Sequence, residues 1–201
     1  MRMLRAIELL SLDGVLQAPG APDEDTEGGF RHGGWQRPYF DDVLATAAAE
    51  GMAETDAYLF GRKTYEKMAA FWPTAAADDP YARHLNAAPK YVASRTLQRV
   101  DWQNSTLIEG DVAVAVTRLK EQPGRNIAVL GSGKLVETLA EHDLVDEYFL
   151  AVYPIVLGGG KRLFRQYDDA KKLELMDSKV TTTGGLLLTY RPVRGHTVAP
   201  V

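Results

Sequence analysis

The chain contains no cysteine. That removes disulfides, thiol nucleophiles and cysteine-ligated zinc from the reading. Histidine is sparse as well. His32, His84, His142 and His196 are scattered, and no His-x-x-x-His spacing exists. Glu141, His142 and Asp143 crowd one helix end and cannot surround an ion, so no metal site is expected. No stretch approaches the roughly 18 apolar residues needed to cross a bilayer. The first ten residues are too short, and too charged at Glu8, for a secretory signal. A cytoplasmic protein is the expectation, with no membrane partner. The net charge of −4 supplies no basic field for nucleic acid, so no nucleic-acid partner is expected. An anionic ligand would need cations placed locally.

What is present suits one domain. A chain of 201 residues can bury a single sizeable core. Residues 1–192 read as that domain and 193–201 as a loosely ordered tail. Residues 3–10 read as a buried first strand ended by the turn Ser11-Leu12-Asp13-Gly14. Residues 17–37 form a long loop rich in Gly, Pro and charge, of the length that functional lids have. Pro38 suits a helix N1 position, with a helix running to about Glu50. Strands are expected at 56–60, 90–93, 105–109, 127–130 and 145–156, the last ended or bulged at Pro154. Helices are expected at 62–71, 112–120 and 133–142, and 72–88 reads as loop with one helical turn. Segments 173–182 and 186–190 flank Thr183-Gly184-Gly185 as a hairpin. This alternation predicts an α/β fold: a mostly parallel sheet with an antiparallel C-terminal edge.

Three strand ends carry chemistry. Gly131-Ser132-Gly133-Lys134 follows an apolar strand and opens a helix, whose free N–H groups and dipole suit a phosphate. It is not a Walker A loop, because Ala128 and Leu135 stand where that motif needs Gly and Ser or Thr. It is not the dinucleotide fingerprint either, because Val136 replaces the third small residue. Gly61-Arg62-Lys63-Thr64 occupies a second strand-to-helix junction, with two cations and a hydroxyl that could cap the helix or bind a phosphate oxygen. Ser94-Arg95-Thr96 follows a third strand and places a guanidinium fork between two hydroxyls. A 2′-phosphate on adenosine fits that clamp, which favours NADPH over NADH. Each motif alone is equally well read as ordinary turn or cap chemistry; the three together are far more specific.

Together with Ser11-Leu12-Asp13-Gly14, Leu144–Tyr148 and the run Pro154–Phe164, these motifs resemble the dihydrofolate reductase-like superfamily. The resemblance spans roughly residues 3–191. It is closest to stand-alone domains similar to the C-terminal reductase domain of the bifunctional riboflavin-pathway deaminase/reductase. It implies a central sheet of about eight strands with helices on both faces, NADPH as cofactor, and often a homodimer. Gly61, Arg62, Thr64, Ser94, Arg95 and Thr96 would hold the adenosine phosphate end. Gly131, Ser132, Gly133, Lys134 and Leu135 would hold the pyrophosphate, and the segment from Leu12 to Leu16 would line the nicotinamide. Trp35, Asp41 and Leu157 would face a small-molecule substrate.

The substrate side departs from the family pattern. Trp35-Gln36-Arg37-Pro38 keeps the Trp-to-Pro spacing of the folate enzymes. Phe40 stands where their acid belongs, however, and Asp41 follows one residue later, about 100° further round a helix. Ala151 occupies the matching strand position where those enzymes carry Thr. Both departures argue against folate. Asp41 is the first candidate for a substrate-orienting acid and Asp13 the second, although Asp is equally at home as a helix cap or a turn residue. The expected activity is NADPH-dependent reduction of a small pyrimidine- or pterin-like heterocycle, for example a riboflavin-pathway aminouracil intermediate. The alternative is a non-catalytic NADPH- or nucleotide-binding module.

Overall fold

The computed structural model describes residues 1–164 and 170–194. Eight strands form one sheet: Leu4–Ser11 (β1), Thr55–Gly61 (β2), Lys90–Ala93 (β3), Ser105–Ile108 (β4), Asn126–Leu130 (β5), Glu147–Tyr153 (β6), Leu173–Val180 (β7) and Leu186–Pro192 (β8). Their spatial order is β4-β3-β2-β5-β1-β6-β8-β7. The first six in that order run parallel. β8 returns antiparallel beside β6, and β7 is antiparallel to β8.

Helices cover both faces, as a parallel sheet requires. Val112–Glu121 (α4) and Gly133–Glu141 (α5) pack over one face, where Val116, Leu135, Val136 and Leu139 meet Leu4, Ala6, Leu59 and Val129. The other face is covered by Asp42–Glu54 (α1) through Leu44, and by Arg62–Phe71 (α2) and Pro80–Ala87 (α3) through Tyr65 and Leu85. A fully buried leucine such as Leu139 contributes about 1.5–3 kcal/mol.

Three local expectations are corrected. Pro38 does not open the helix; it sits in a 3-10 turn, Arg37–Tyr39. Phe40 then adopts an extended backbone and α1 starts at Asp42, because the Asp41 side chain accepts from the Leu44 amide. The segment read as loop holds α3, whose N-terminus is set by Asp79 accepting from the Tyr81 and Ala82 amides and by Pro80 at N1. The last helical residues of α3 are capped by Lys90. Its buried Nζ donates to the carbonyls of Leu85 and Ala88, both at 2.7 Å. The third correction is that β6 stops at Tyr153, one residue before Pro154, which cannot donate to the ladder. The expected loose tail lies outside the described residues from position 195 onward.

One core residue breaks the apolar pattern. Glu8 has the same parity in β1 as Leu4, Ala6 and Leu10 and is 2% exposed. Its Oε1 has no hydrogen-bond partner among the described residues. Burial pushes this carboxyl up to about 8.

Candidate functional site

The carboxyl ends of β3, β2, β5, β1 and β6 lie side by side along one edge of the sheet. β1 connects through α1 to β2 on one side, whereas β5 crosses β1 through α5 to reach β6 on the other. The crevice outside such a switch point is where open α/β sheets bind ligands.

At its centre two of the expected motifs meet. The Ser132 hydroxyl accepts from the Gly61 amide at 2.9 Å and donates to Thr64 Oγ1 at 2.7 Å. The relay leaves the Thr64 proton to point at a further acceptor. Ser132 is held left-handed, φ 67°, directly after Gly131 at φ 59°. That double bend turns the chain so that α5 starts at the crevice. Gly133 must be glycine, since a Cβ there would come within 2.7 Å of Leu16 Cδ2. Among the described residues the Gly133 and Lys134 amides have no acceptor, as expected at a helix N-terminus awaiting an anion. Leu135 differs: its amide is spent on Ser132 O at 2.7 Å and its side chain lies in the core. It braces the turn and offers a ligand nothing polar.

The remaining cofactor candidates divide. Arg62 is engaged with Glu66 one turn on, at 2.9 Å. Ser94 Oγ accepts from the Thr96 and Leu97 amides, shaping a turn after β3. Arg95 and Thr96 are exposed on that turn, and the Arg95 guanidinium has no ion-pair partner among the described residues. Ser94 therefore builds the turn that presents Arg95.

On the β1/β6 side Asp13 is a structural hub. Its carboxylate accepts from the amides of Leu157 and Gly158, both at 3.0 Å, from Ser11 Oγ at 2.7 Å and from Arg162 at 3.2 Å. Burial opposes its charge, but the bonds from Leu157, Ser11 and Gly158 prevail and hold it at about 2. Asp13 thus fixes Leu157 beside Leu12, and the Leu12 side chain projects into solvent, 65% exposed.

The long loop crosses this edge and is tied down by charges the sequence reading did not pick out. Glu27 accepts from Lys63 at 2.6 Å and from Lys161 at 2.5 Å, and Lys161 also reaches Asp25 at 2.5 Å. The hydrogen bonds from Lys161 and Lys63 keep Glu27 near 2. Burial works against the Lys161 charge, yet Asp25 and Glu27 raise its value above that of free lysine. Below this strap opens a cavity of about 590 Å³ lined by Phe30, Arg31, His32, Leu157, Gly160 and Lys161. Gly160 lets Phe30 approach, because a Cβ there would meet Phe30 Cε2 at 2.9 Å.

Trp35 and Asp41 stand apart from that cavity. Trp35 is buried beneath the loop, donates to Gln17 O at 2.8 Å and packs edge-on against Tyr153. Asp41 spends Oδ1 on the Leu44 amide and Oδ2 on the Thr182 amide, the Thr182 hydroxyl and the Thr183 amide. The Leu44 bond leads the causes that hold it at about 2, so it stays charged. It caps α1 and pins the β7–β8 turn. Phe40 is exposed, and Ala151 is fully buried in the core.

Comparison with known proteins matches residues 2–187 to the RibD C-terminal domain. The chain belongs to that family. This RibD C-terminal domain family member is 30% identical over 142 residues to the Bacillus subtilis (strain 168) protein YyaP, covering 68% of the chain and 74% of YyaP. Among solved structures it is similar to a putative riboflavin biosynthesis protein from Shewanella sp. PV-4. The TM-score is 0.68 at 22% identity, over 96% of this chain and 99% of that one. A pyrimidine reductase-like protein from Corynebacterium diphtheriae superposes with a TM-score of 0.66 at 13% identity, over 96% and 92% of the two chains. At these identities the structural likenesses establish the fold. The eight-stranded α/β architecture with its antiparallel β6-β8-β7 end is the dihydrofolate reductase-like one the sequence motifs implied.

Proposed function

We propose that this family member is an NADPH-dependent oxidoreductase that passes hydride to a small planar heterocycle of the pyrimidine or pterin type. The observation that carries the reading is the Gly61–Ser132–Thr64 relay beside the free amides of α5. Those residues fit a diphosphate: donors converge, no carboxylate intrudes among them, and Gly133 leaves room for backbone approach. Arg95, presented by the Ser94 turn, fits the extra phosphate that separates NADPH from NADH.

Bound NADPH would supply the hydride. The chain's own part is positioning and water exclusion. Asp13 locks Leu12 and Leu157 into an apolar wall, and the strap held by Lys63 and Lys161 roofs the neighbouring cavity. A cavity of about 590 Å³ accommodates a bicyclic ring. The names of the Shewanella and Corynebacterium proteins support a pyrimidine of the riboflavin type as the first acceptor to try.

A second reading, an NADPH-binding module without chemistry, is favoured by one observation. Both candidate acids, Asp13 and Asp41, are spent on the scaffold. The test is loss of reduced-nicotinamide absorbance with aminouracils, pterins, flavin precursors and nitro-heterocycles, run beside an NADPH titration. Turnover supports the reductase. Binding without turnover on any acceptor supports the module. Absence of binding overturns both.

A further inference from the structure

The sheet has two unequal ends. β4 closes one end with four residues, whereas β7 closes the other with eight. No described strand pairs with the outer edge of β7. Long apolar edges are normally shortened, charged or covered, because their free N–H and C=O groups recruit other strands. Here Leu175 is 50% and Val180 69% exposed.

The pairing of β7 with β8 fixes which way each residue points. Leu173 packs with Leu188 and Tyr190 toward the α5 side, and the register puts Leu175, Ser178 and Val180 on that same face. Glu174, Asp177 and Lys179 fall on the α1 side, where Lys179 reaches Glu50 at 3.4 Å. Met176 is the extra residue where the register shifts. The bonds Thr181 N–H to Gly185 O and Val193 N–H to Lys172 O set the hydrogen-bonding parity. By that parity Leu173, Leu175, Ser178 and Val180 turn their main-chain groups outward.

We propose that β7 pairs antiparallel with β7 of a second copy of this chain, with Ser178 on the two-fold axis. An isologous contact between identical antiparallel strands must place like faces together, which leaves three central registers. An axis at Asp177 sets the two Asp177 carboxylates opposite each other. An axis at Leu175 sets Glu174 opposite the partner's Asp177. The axis at Ser178 sets Leu175 opposite the partner's Val180 and Asp177 opposite the partner's Lys179, each twice. Opposite charges facing across strands stabilise and like charges destabilise, so only this register is complementary. It also falls on the close, non-hydrogen-bonded pair for the charges and on the hydrogen-bonded pairs for the outward main chain.

The test uses the full chain in sedimentation velocity together with charge reversal. Native protein sediments as a dimer. Asp177→Lys and Lys179→Asp each weaken dimerisation about tenfold, since each turns two attractive pairs repulsive. The double variant D177K/K179D restores the native dissociation constant to within about threefold, because the pair is re-formed in reverse. The absence of native cysteine allows a second readout. Ser178→Cys places two thiols on Cα atoms about 5.5 Å apart, within disulfide reach, and mild oxidant yields a covalent dimer. Glu174→Cys, whose copies would lie about 20 Å apart, does not cross-link. A monomer at the highest soluble concentration overturns the proposal. So does a dimer whose affinity ignores the reversals, a double variant that fails to recover, or cross-linking by Cys at 174 that equals or exceeds that at 178.

Discussion

Replacing Glu8 by glutamine isolates the most unusual group in the core. In the folded chain burial moves the Glu8 carboxyl from 4.5 to about 8, and no charge or hydrogen bond offsets the desolvation. Between those values the folded chain holds a proton that the unfolded chain releases. Stability from this group is therefore complete below pH 4.5 and is lost as pH rises toward 8. Each pH step between them costs about 1.4 kcal/mol, so the loss is about 3 kcal/mol at pH 7 and about 5 kcal/mol once pH exceeds both values. Glutamine keeps the shape of the protonated acid and cannot ionise. Glu8→Gln should match the native chain near pH 4.5 and exceed it by about 3 kcal/mol at pH 7, which is roughly 6–12 °C in Tm. Urea denaturation followed by tryptophan fluorescence at a series of pH values reads the difference directly, and other titrating groups cancel. Parallel curves for the two proteins across this range would refute a buried, protonated Glu8.

Other perturbations probe the site. Ser132→Ala breaks the relay between Gly61 and Thr64 and should weaken NADPH binding about tenfold by calorimetry, with the fold retained by circular dichroism. Arg95→Ala should lower NADPH affinity at least about tenfold while leaving NADH affinity unchanged; an equal loss for both would remove Arg95 from the 2′-phosphate. Lys90→Met strips the C-terminal carbonyls of α3 of their cation and should destabilise the chain by about 1–3 kcal/mol in urea. Asp41→Asn keeps a helix-capping oxygen, so turnover should stay within about threefold of native; a hundredfold loss would return Asp41 to the chemistry.

The three phosphate-type junctions were legible because their signal is local. A strand, a glycine bend and a helix start lie within about six residues, and steric rules at glycine fix the geometry. α3 escaped notice because Ala75–Ala77 and Asp78-Asp79-Pro80 read as a polar turn, although Asp79-Pro80 is itself a cap followed by N1. Asp41 was legible as an acid near a helix start, but its shift from the family position turned it toward Thr182 and Thr183, on a hairpin some 140 residues away. The strap formed by Glu27, Lys63 and Lys161 has no sequence signature at all, since the partners of Lys161 lie 134 and 136 residues upstream. Glu8 was read as a charge that spoils a signal segment. Its parity with Leu4, Ala6 and Leu10 already placed it inside.

The central claim is that the crevice across β3, β2, β5 and β1 holds NADPH through the Ser132 junction and Arg95. Isothermal titration of the native chain with NADPH and, separately, NADH tests it most directly. The account predicts saturable one-to-one binding of NADPH with a Kd below about 100 µM, at least about tenfold tighter than NADH, a difference the Arg95 phosphate contact must supply. No detectable heat together with no thermal shift for NADPH, or equal affinity for the two dinucleotides, would contradict it.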